Sequence, residues 1–283
     1  MQNYKVGIAG AGVMGRQIAL LCASHGIPVI IWNHHIQPNF EKDFARIALI
    51  QSKLGHISRD ALGGISENVK HTDDLSLLAC CNVLIEAVKE NKVIKSAVLS
   101  ALDEVAIEGK IVATNTSTLS VTELASKTKN VSRFLGMHFF NPPMAMKLVE
   151  VVKGELTSEE TVLKATEFLL ALDKTPIALP ETPGFIVNRL LFPMINEAVF
   201  LLSEGVSDAK TIDRCMQMGA NHPMGPLELA DLIGLDVCLS ILETLVEETG
   251  DGKYRPAPLL KKYVRAGKMG KKSGCGFYNY KIN

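Results

Sequence analysis

The chain has 283 residues, 47% of them hydrophobic and 21% charged. That is an ordinary globular composition, and it excludes a disordered or fibrous polypeptide. Thirty Lys and Arg balance thirty Asp and Glu, so neither a nucleic-acid nor a polybasic membrane partner is expected, and any anionic ligand has to be held by a local basic patch or by backbone amides.

The first strand-like run is Tyr4–Ala9, reached with no basic or apolar leader before it. A cytoplasmic protein is therefore expected, or one from which a transit peptide has been removed. Further strand-like runs follow at Pro28–Asn33, Asn82–Ala87, Lys110–Asn115, Phe134–Phe139, Leu148–Val152 and Thr175–Leu179. Amphipathic stretches such as Val13–Ser24 and Asn91–Val105 lie between them. Strands alternating with helices predict βαβ units and a mostly parallel sheet, and near-continuous apolar strands such as residues 82–87 suit a sheet covered on both faces.

The pattern changes near residue 180. Thr182-Pro183 reads as an N-cap followed by proline at the first helical position. Phe185, Leu190, Leu191, Met194, Ala198 and Leu202 then recur at helical spacing. Pro193 is expected to kink this helix and Gly205 to end it. Ala209–Met218, Leu227–Ile233 and Val237–Thr249 continue the helical pattern. No apolar run approaches the ~18 residues needed to cross a bilayer. The fold class expected is α/β, a Rossmann-type, mostly parallel sheet over residues 1–181 followed by an all-α domain over 182–283. The cysteines, Cys22, Cys80, Cys81, Cys215, Cys238 and Cys275, form no C-x-x-C pair, lie mostly inside apolar runs and read as buried reduced thiols.

Gly10, Gly12 and Gly15 form a G-x-G-x-x-G between the first strand and the first helix. In such a loop the first glycine permits the turn, the second lets backbone approach a pyrophosphate, and the third lets helix and strand pack closely, while the helix N-terminus faces the phosphates. Gly10, Gly12, Val13, Met14 and Gly15 are thus cofactor-binding candidates. About 20 residues on, NAD enzymes usually carry an acid for the ribose hydroxyls. Here Asn33 ends the second strand, followed by His34 and His35. Asparagine can bond a hydroxyl but does not repel a 2′-phosphate, so NAD is favoured while NADP stays open.

Four polar residues stand where the carboxyl edge of the sheet belongs or near the start of the long helix: Ser117, His138, Glu150 and Asn188. Each also has a plain structural reading, as a helix cap, a bonded core histidine, an edge-strand charge or a surface amide. The other histidines show no ligand spacing, and no metal site is expected.

Several long motifs decide between these readings. GAGVMG, IEAVKEN (85–91), NTSTLS (115–120), RFLGMHFFNPP (133–143), MKLVEVV (146–152), ETPGFIVNRLL (181–191), HPMGPLELADLIGLD (222–236) and GKMGKKSGCGFYNY (267–280) occur in order. With them the sequence resembles the 3-hydroxyacyl-CoA dehydrogenase family, in particular its short-chain 3-hydroxybutyryl-CoA branch, over nearly the whole chain. The resemblance implies His138 as catalytic base paired with Glu150, and Ser117 and Asn188 against the substrate near the reacting oxygen. It implies Glu90, Lys95, Asn115 and Asn141 along the cofactor or the cleft, and Lys53 as a partner of the CoA phosphates. Together with composition it implies a homodimer formed largely by the helical domain. Asn33 departs from the family, where an acid is usual, which puts cofactor preference in doubt and not the reaction. Two other readings stay open: a related dehydrogenase of a free hydroxy or sugar acid, and a non-catalytic nucleotide-binding protein.

The chemistry suits these residue types without the family. Taking hydride from a secondary alcohol requires loss of the hydroxyl proton, which a histidine can accept near neutral pH. A carboxylate on the far nitrogen fixes the tautomer and stabilises the imidazolium. A hydroxyl and an amide can orient the alcohol and stabilise charge on its oxygen.

Overall fold

Eight short strands form one sheet in the computed structural model, which describes residues 4–107 and 109–280. In chain order the first compact unit, residues 1–181, runs β1 Val6–Ala9, α1 Val13–Ser24, β2 Val29–Trp32, α2 Phe40–Lys53, α3 Leu62–Glu67, β3 Val69–Thr72, β4 Val83–Glu86, α4 Lys92–Val105, β5 Ile111–Thr114, α5 Val121–Ala125, β6 Phe134–Phe139, β7 Leu148–Lys153, α6 Glu159–Leu170 and β8 Thr175–Pro180. The strand order is β3-β2-β1-β4-β5-β6-β7-β8. All neighbouring strands run parallel except β6 and β7. This is the Rossmann-type, mostly parallel sheet expected from the alternating pattern.

The physical cause is burial on both faces. β1, β4 and β5 are buried at every residue, because helices on either side cover a central parallel sheet. Ile8, Ile18, Ile31, Ile85, Leu135 and Phe168 belong to one continuous core and are 0% exposed. Each such side chain contributes on the order of 1.5–3 kcal/mol by leaving water. Local caps start several helices: Asn91 Oδ1 accepts from the Ile94 amide at 3.1 Å, Ser120 Oγ from that of Glu123 at 3.0 Å, and Ser158 Oγ from that of Thr161 at 3.2 Å.

One strand escaped the sequence pattern. β3, Val-Lys-His-Thr, lies at the sheet edge with only Thr72 buried. An edge strand needs no run of apolar residues, so hydrophobic alternation does not signal it.

The second compact unit, residues 182–283, is helical: α7 Val187–Ser203, α8 Ala209–Gly219, α9 Pro226–Ile233, α10 Leu235–Thr249 and α11 Pro258–Arg265. Its core gathers Phe192, Ile195, Val199, Leu227, Leu242 and Leu260. Buried carboxylates tie it together. Asp213 accepts from the Leu227 and Glu228 amides, both at 2.8 Å, which satisfies the first turn of α9. Asp231 accepts from the amides of Phe277 and Tyr278, both at 2.9 Å, and so fastens the C-terminal segment to α9.

The start of α7 differs from expectation. The helix begins at Val187 with Ile186 as its N-cap, and not at Pro183. Residues 182–185 form a turn instead, with the Phe185 amide on the Thr182 carbonyl at 2.9 Å. Gly184 (φ +74°) and Phe185 (φ +52°) are left-handed, which breaks any helix running in from Pro183. The Thr182 hydroxyl accepts from the Arg189 guanidinium at 2.6 Å rather than capping amides. A buried phenylalanine in this conformation is uncommon, and such strain is found at functional positions. At the other end Gly205 closes α7 as expected: its amide meets the Leu202 carbonyl at 3.3 Å and the Val206 amide meets that of Leu201 at 3.1 Å. Among the described residues no helix is long and apolar enough to cross a membrane.

Candidate active site

The glycine loop lies at the carboxyl end of β1 and opens α1. Gly10 has φ +114°, and a Cβ there would stand 2.7 Å from the Ala87 carbonyl oxygen. A Cβ on Gly15 would stand 1.8 Å from the Gly10 oxygen. Both positions are closed to any side chain. Gly12 is different, because nothing lies within 4 Å of the position its Cβ would take. The open space borders the first turn of α1, which has no side-chain cap and no acidic residue. Unpaired amides, the positive end of the helix and free room beside them suit a pyrophosphate. Val13 is 68% exposed in that turn and Met14 is half-buried.

Asn33 follows β2 directly. Its Oδ1 accepts from the Ala11 amide at 3.4 Å, and its Nδ2 donates to the His35 carbonyl at 3.0 Å. It therefore joins the glycine loop to the end of the second strand. Arg16, which the sequence reading passes over, reaches the segment after Asn33: its guanidinium donates to Asp43 at 3.3 Å and also to Gln37. Asn141, beyond β6, accepts from Gln17 of α1 at 3.0 Å.

The antiparallel pairing of β6 and β7 sets His138 directly opposite Glu150. His138 Nδ1 lies 2.7 Å from Glu150 Oε2, with side-chain exposures of 6% and 1%. An ionised carboxylate only accepts, so Nδ1 carries the proton and Nε2 is left as the basic nitrogen. The centroid of the Phe140 ring stands 4.5 Å from that of the imidazole, the two rings tilted by 50°.

A second network gathers Glu90, Lys95, Asn115 and the Ser117 backbone. Lys95, fully buried, bonds both oxygens of Glu86 at 2.9 and 3.0 Å, Glu90 Oε2 at 3.3 Å and the Asn115 carbonyl at 3.3 Å. Glu90 Oε1 accepts from the Thr116 hydroxyl at 2.5 Å and from the Ser117 amide at 3.0 Å. Asn115 Oδ1 accepts from the Phe139 amide at 3.1 Å, next to His138. Burial pushes the Glu86 carboxyl up, against the opposing pull of Lys95. Glu86 and Thr116 join the site beyond the residues expected from sequence. For Glu86 the sequence carries a signal: a carboxylate at the end of an apolar strand must find a partner if it is buried.

The two remaining expected residues lie on helices. Lys53 is exposed in the last turn of α2, and no hydrogen bond or ion pair among the described residues joins it to the others. Asn188 belongs to the helical unit, buried at 7% exposure in the first turn of α7.

Residues 5–182 match the NAD binding domain of 3-hydroxyacyl-CoA dehydrogenase, and residues 184–280 match that enzyme's C-terminal domain. The chain belongs to the 3-hydroxyacyl-CoA dehydrogenase family. As a 3-hydroxyacyl-CoA dehydrogenase it is an NAD-dependent oxidoreductase acting on CH–OH groups. Relatives of this family cover it end to end. A 3-hydroxybutyryl-CoA dehydrogenase of Clostridioides difficile is 44% identical over 98% of this chain and 99% of its own length. A probable 3-hydroxybutyryl-CoA dehydrogenase of Deinococcus radiodurans is 43% identical over 98% and 100%. The crystal structure of (S)-3-hydroxybutyryl-CoA dehydrogenase from Ralstonia eutropha superimposes with a TM-score of 0.92 at 39% identity, covering 99% of this chain and 100% of that one.

Proposed function

We propose that this dehydrogenase interconverts a short-chain (S)-3-hydroxyacyl-CoA, such as 3-hydroxybutyryl-CoA, and the corresponding 3-oxoacyl-CoA, with His138 as acid and base. The observation that carries this reading is the buried His138–Glu150 pair at 2.7 Å. Bound NAD supplies the hydride acceptor, and the open space at Gly12 with the uncapped first turn of α1 fits its pyrophosphate. As the alcohol carbon gives up hydride, His138 Nε2 takes the hydroxyl proton, and the imidazolium is stabilised by Glu150 through Nδ1–H. In reduction the same nitrogen returns the proton to the carbonyl oxygen. Ser117 and Asn188 orient the oxygen, while Asn33, Glu90, Lys95, Asn115 and Asn141 serve the cofactor side. Lys53, exposed and without an ion pair among the described residues, is available to the CoA phosphates.

In this reading residues 1–181 hold the cofactor, and residues 182–283 contribute to the substrate site and to a homodimer. The homodimer rests on the family resemblance and on the apolar composition of the helical unit. A cytoplasmic location is part of the same proposal and rests on the free cysteines, of which Cys22, Cys81 and Cys238 are buried as expected whereas Cys80 and Cys215 are exposed. The deciding experiment follows NADH and NADPH oxidation in parallel with acetoacetyl-CoA, and with acetoacetate as the CoA-free control. Turnover only with the thioester supports the proposal. Equal turnover of the free acid would replace it with a hydroxy-acid dehydrogenase, and no turnover of either would reject it. Light scattering at micromolar concentration tests the dimer.

A further inference from the structure

The Glu86–Lys95 pair raises a question of purpose. Both side chains are 0% exposed. Taking two charges out of water is costly, and replacing such a pair by apolar residues of similar size is often neutral or stabilising. Stability alone therefore does not explain it. What an apolar pair cannot do is deliver N–H bonds to further acceptors. An ammonium has three protons, and Lys95 distributes them to Glu86, to Glu90 and to the Asn115 carbonyl.

Glu86 is the fixed end of this arrangement. It closes β4 between β1 and β5, opposite Ala9 and Thr114. Besides Lys95, Oε1 accepts from the Val88 amide at 2.6 Å and Oε2 from the Thr114 hydroxyl at 2.6 Å. Its carboxylate is thus held by α4, by the loop after β4 and by the neighbouring strand β5. Glu90 is the free end: its side chain is 39% exposed, yet both its oxygens are engaged, one by Lys95 and the other by Thr116 and Ser117. Asn115 is pinned at three points, its amide on the Glu86 carbonyl at 2.7 Å, its carbonyl on Lys95, and its Oδ1 on the Phe139 amide.

We propose that Glu86 is a positioning residue for the dehydrogenase reaction: through Lys95 it fixes Glu90 and Asn115, and through them the Ser117 segment relative to the strand that carries His138. The inference rests on the reading above in taking Ser117 and His138 as the reacting centre. It adds a residue that contacts neither substrate nor cofactor. A misplacement of about 1 Å at a reacting centre can cost ~100-fold in rate, so a rigid anchor for this loop matters to turnover.

The test is the double variant Glu86→Gln/Lys95→Met. The glutamine side chain still offers an oxygen to the Val88 amide and an amide to the Thr114 hydroxyl, and no buried charge remains, so folding is retained. Lys95→Met alone is the second variant, because the unpaired Glu86 carboxyl can take up a proton. Three readouts apply to each, in parallel with Glu90→Gln and His138→Gln: melting temperature, amide hydrogen exchange across residues 115–119, and steady-state kinetics with acetoacetyl-CoA and NADH. The expected result is exchange at the Ser117 amide faster by about 10-fold or more and kcat lower by about 10-fold or more, with the melting temperature of the double variant within a few degrees of the unaltered enzyme and that of Lys95→Met alone so only at low pH. Adding Glu90→Gln to the double variant should lower kcat little further, since the effects run through one residue. Unchanged exchange and kcat in a folded variant would show the pair to be structural and overturn the proposal, as would losses that multiply fully with those of Glu90→Gln. Faster exchange in the variants, with no acetoacetyl-CoA reduction by the unaltered enzyme, would reject the functional reading and leave the anchoring intact.

Discussion

His138 and Glu150 face each other across the antiparallel strand pair of the sheet, residue opposite residue, with Nδ1 and Oε2 2.7 Å apart. Replacing His138 by Gln is expected to lower turnover by ~100-fold or more, the scale of a positioned acid/base, with NADH affinity nearly unchanged. Glu150→Gln should cost nearly as much, because the imidazolium loses its counter-charge. The double variant should then lose far less than the product of the single effects, as residues acting as a unit do. Fully multiplicative losses in kcat would show that the two work independently.

The glycine loop separates packing from binding. Gly15→Ala drives a methyl group to 1.8 Å from the Gly10 oxygen, so thermal unfolding should shift down by many degrees or the protein should fail to fold. Gly12→Ala meets nothing within 4 Å, so the melting temperature should hold while the Kd for NADH, read by fluorescence titration, rises about 10-fold or more. Matching NADH affinity in Gly12→Ala and the unaltered enzyme would remove the pyrophosphate from that space.

Asn33 governs cofactor choice in this reading. Lost repulsion of a 2′-phosphate at a surface cleft amounts to on the order of 1 kcal/mol, given high effective dielectric and salt screening. Measurable turnover with NADPH is therefore expected, with NADH preferred. Asn33→Asp keeps an acceptor for the Ala11 amide and should lower the NADPH-to-NADH ratio of kcat/KM about 5-fold. A ratio that does not move would show that another residue, with Arg16 the first to examine, sets the preference.

Removing Lys95 should create a pH-dependent stability. Burial raises the Glu86 carboxyl and Lys95 pulls it back, so Lys95→Met leaves it higher still. A carboxyl whose folded pKa exceeds its unfolded one contributes stability at low pH that is lost as pH rises through the folded value. The melting temperature of Lys95→Met should thus stay close to that of the unaltered protein near pH 5 and fall behind it by pH 8. A constant difference across that range would show that the Glu86 carboxyl does not titrate there.

The order of residues along the chain is enough for the local grammar. Alternating apolar runs and amphipathic stretches specify a covered parallel sheet, because a strand buried on both faces admits few polar residues. The G-x-G-x-x-G between β1 and α1 is legible for the same local reason: a turn, a close approach and a helix start fall within a few residues. Gly205 as the end of α7 is legible too, since its hydrogen bonds reach only one turn back.

What lies across from what is settled in the folded chain alone. The pairing of His138 with Glu150 comes from the sequence only through family resemblance, because strand register depends on how the connection between β6 and β7 closes, not on the pattern within either strand. Glu86 gives no sign of its partner, since Lys95 reaches it from a helix and Thr114 from the next strand. β3 carries no apolar run because an edge strand is buried on too little of its surface to need one. The left-handed Phe185 overrides an ordinary N-cap signal at Thr182. In each case the deciding contact joins residues distant in the chain or depends on a strained backbone angle, and neither spacing nor propensity along the sequence records such contacts.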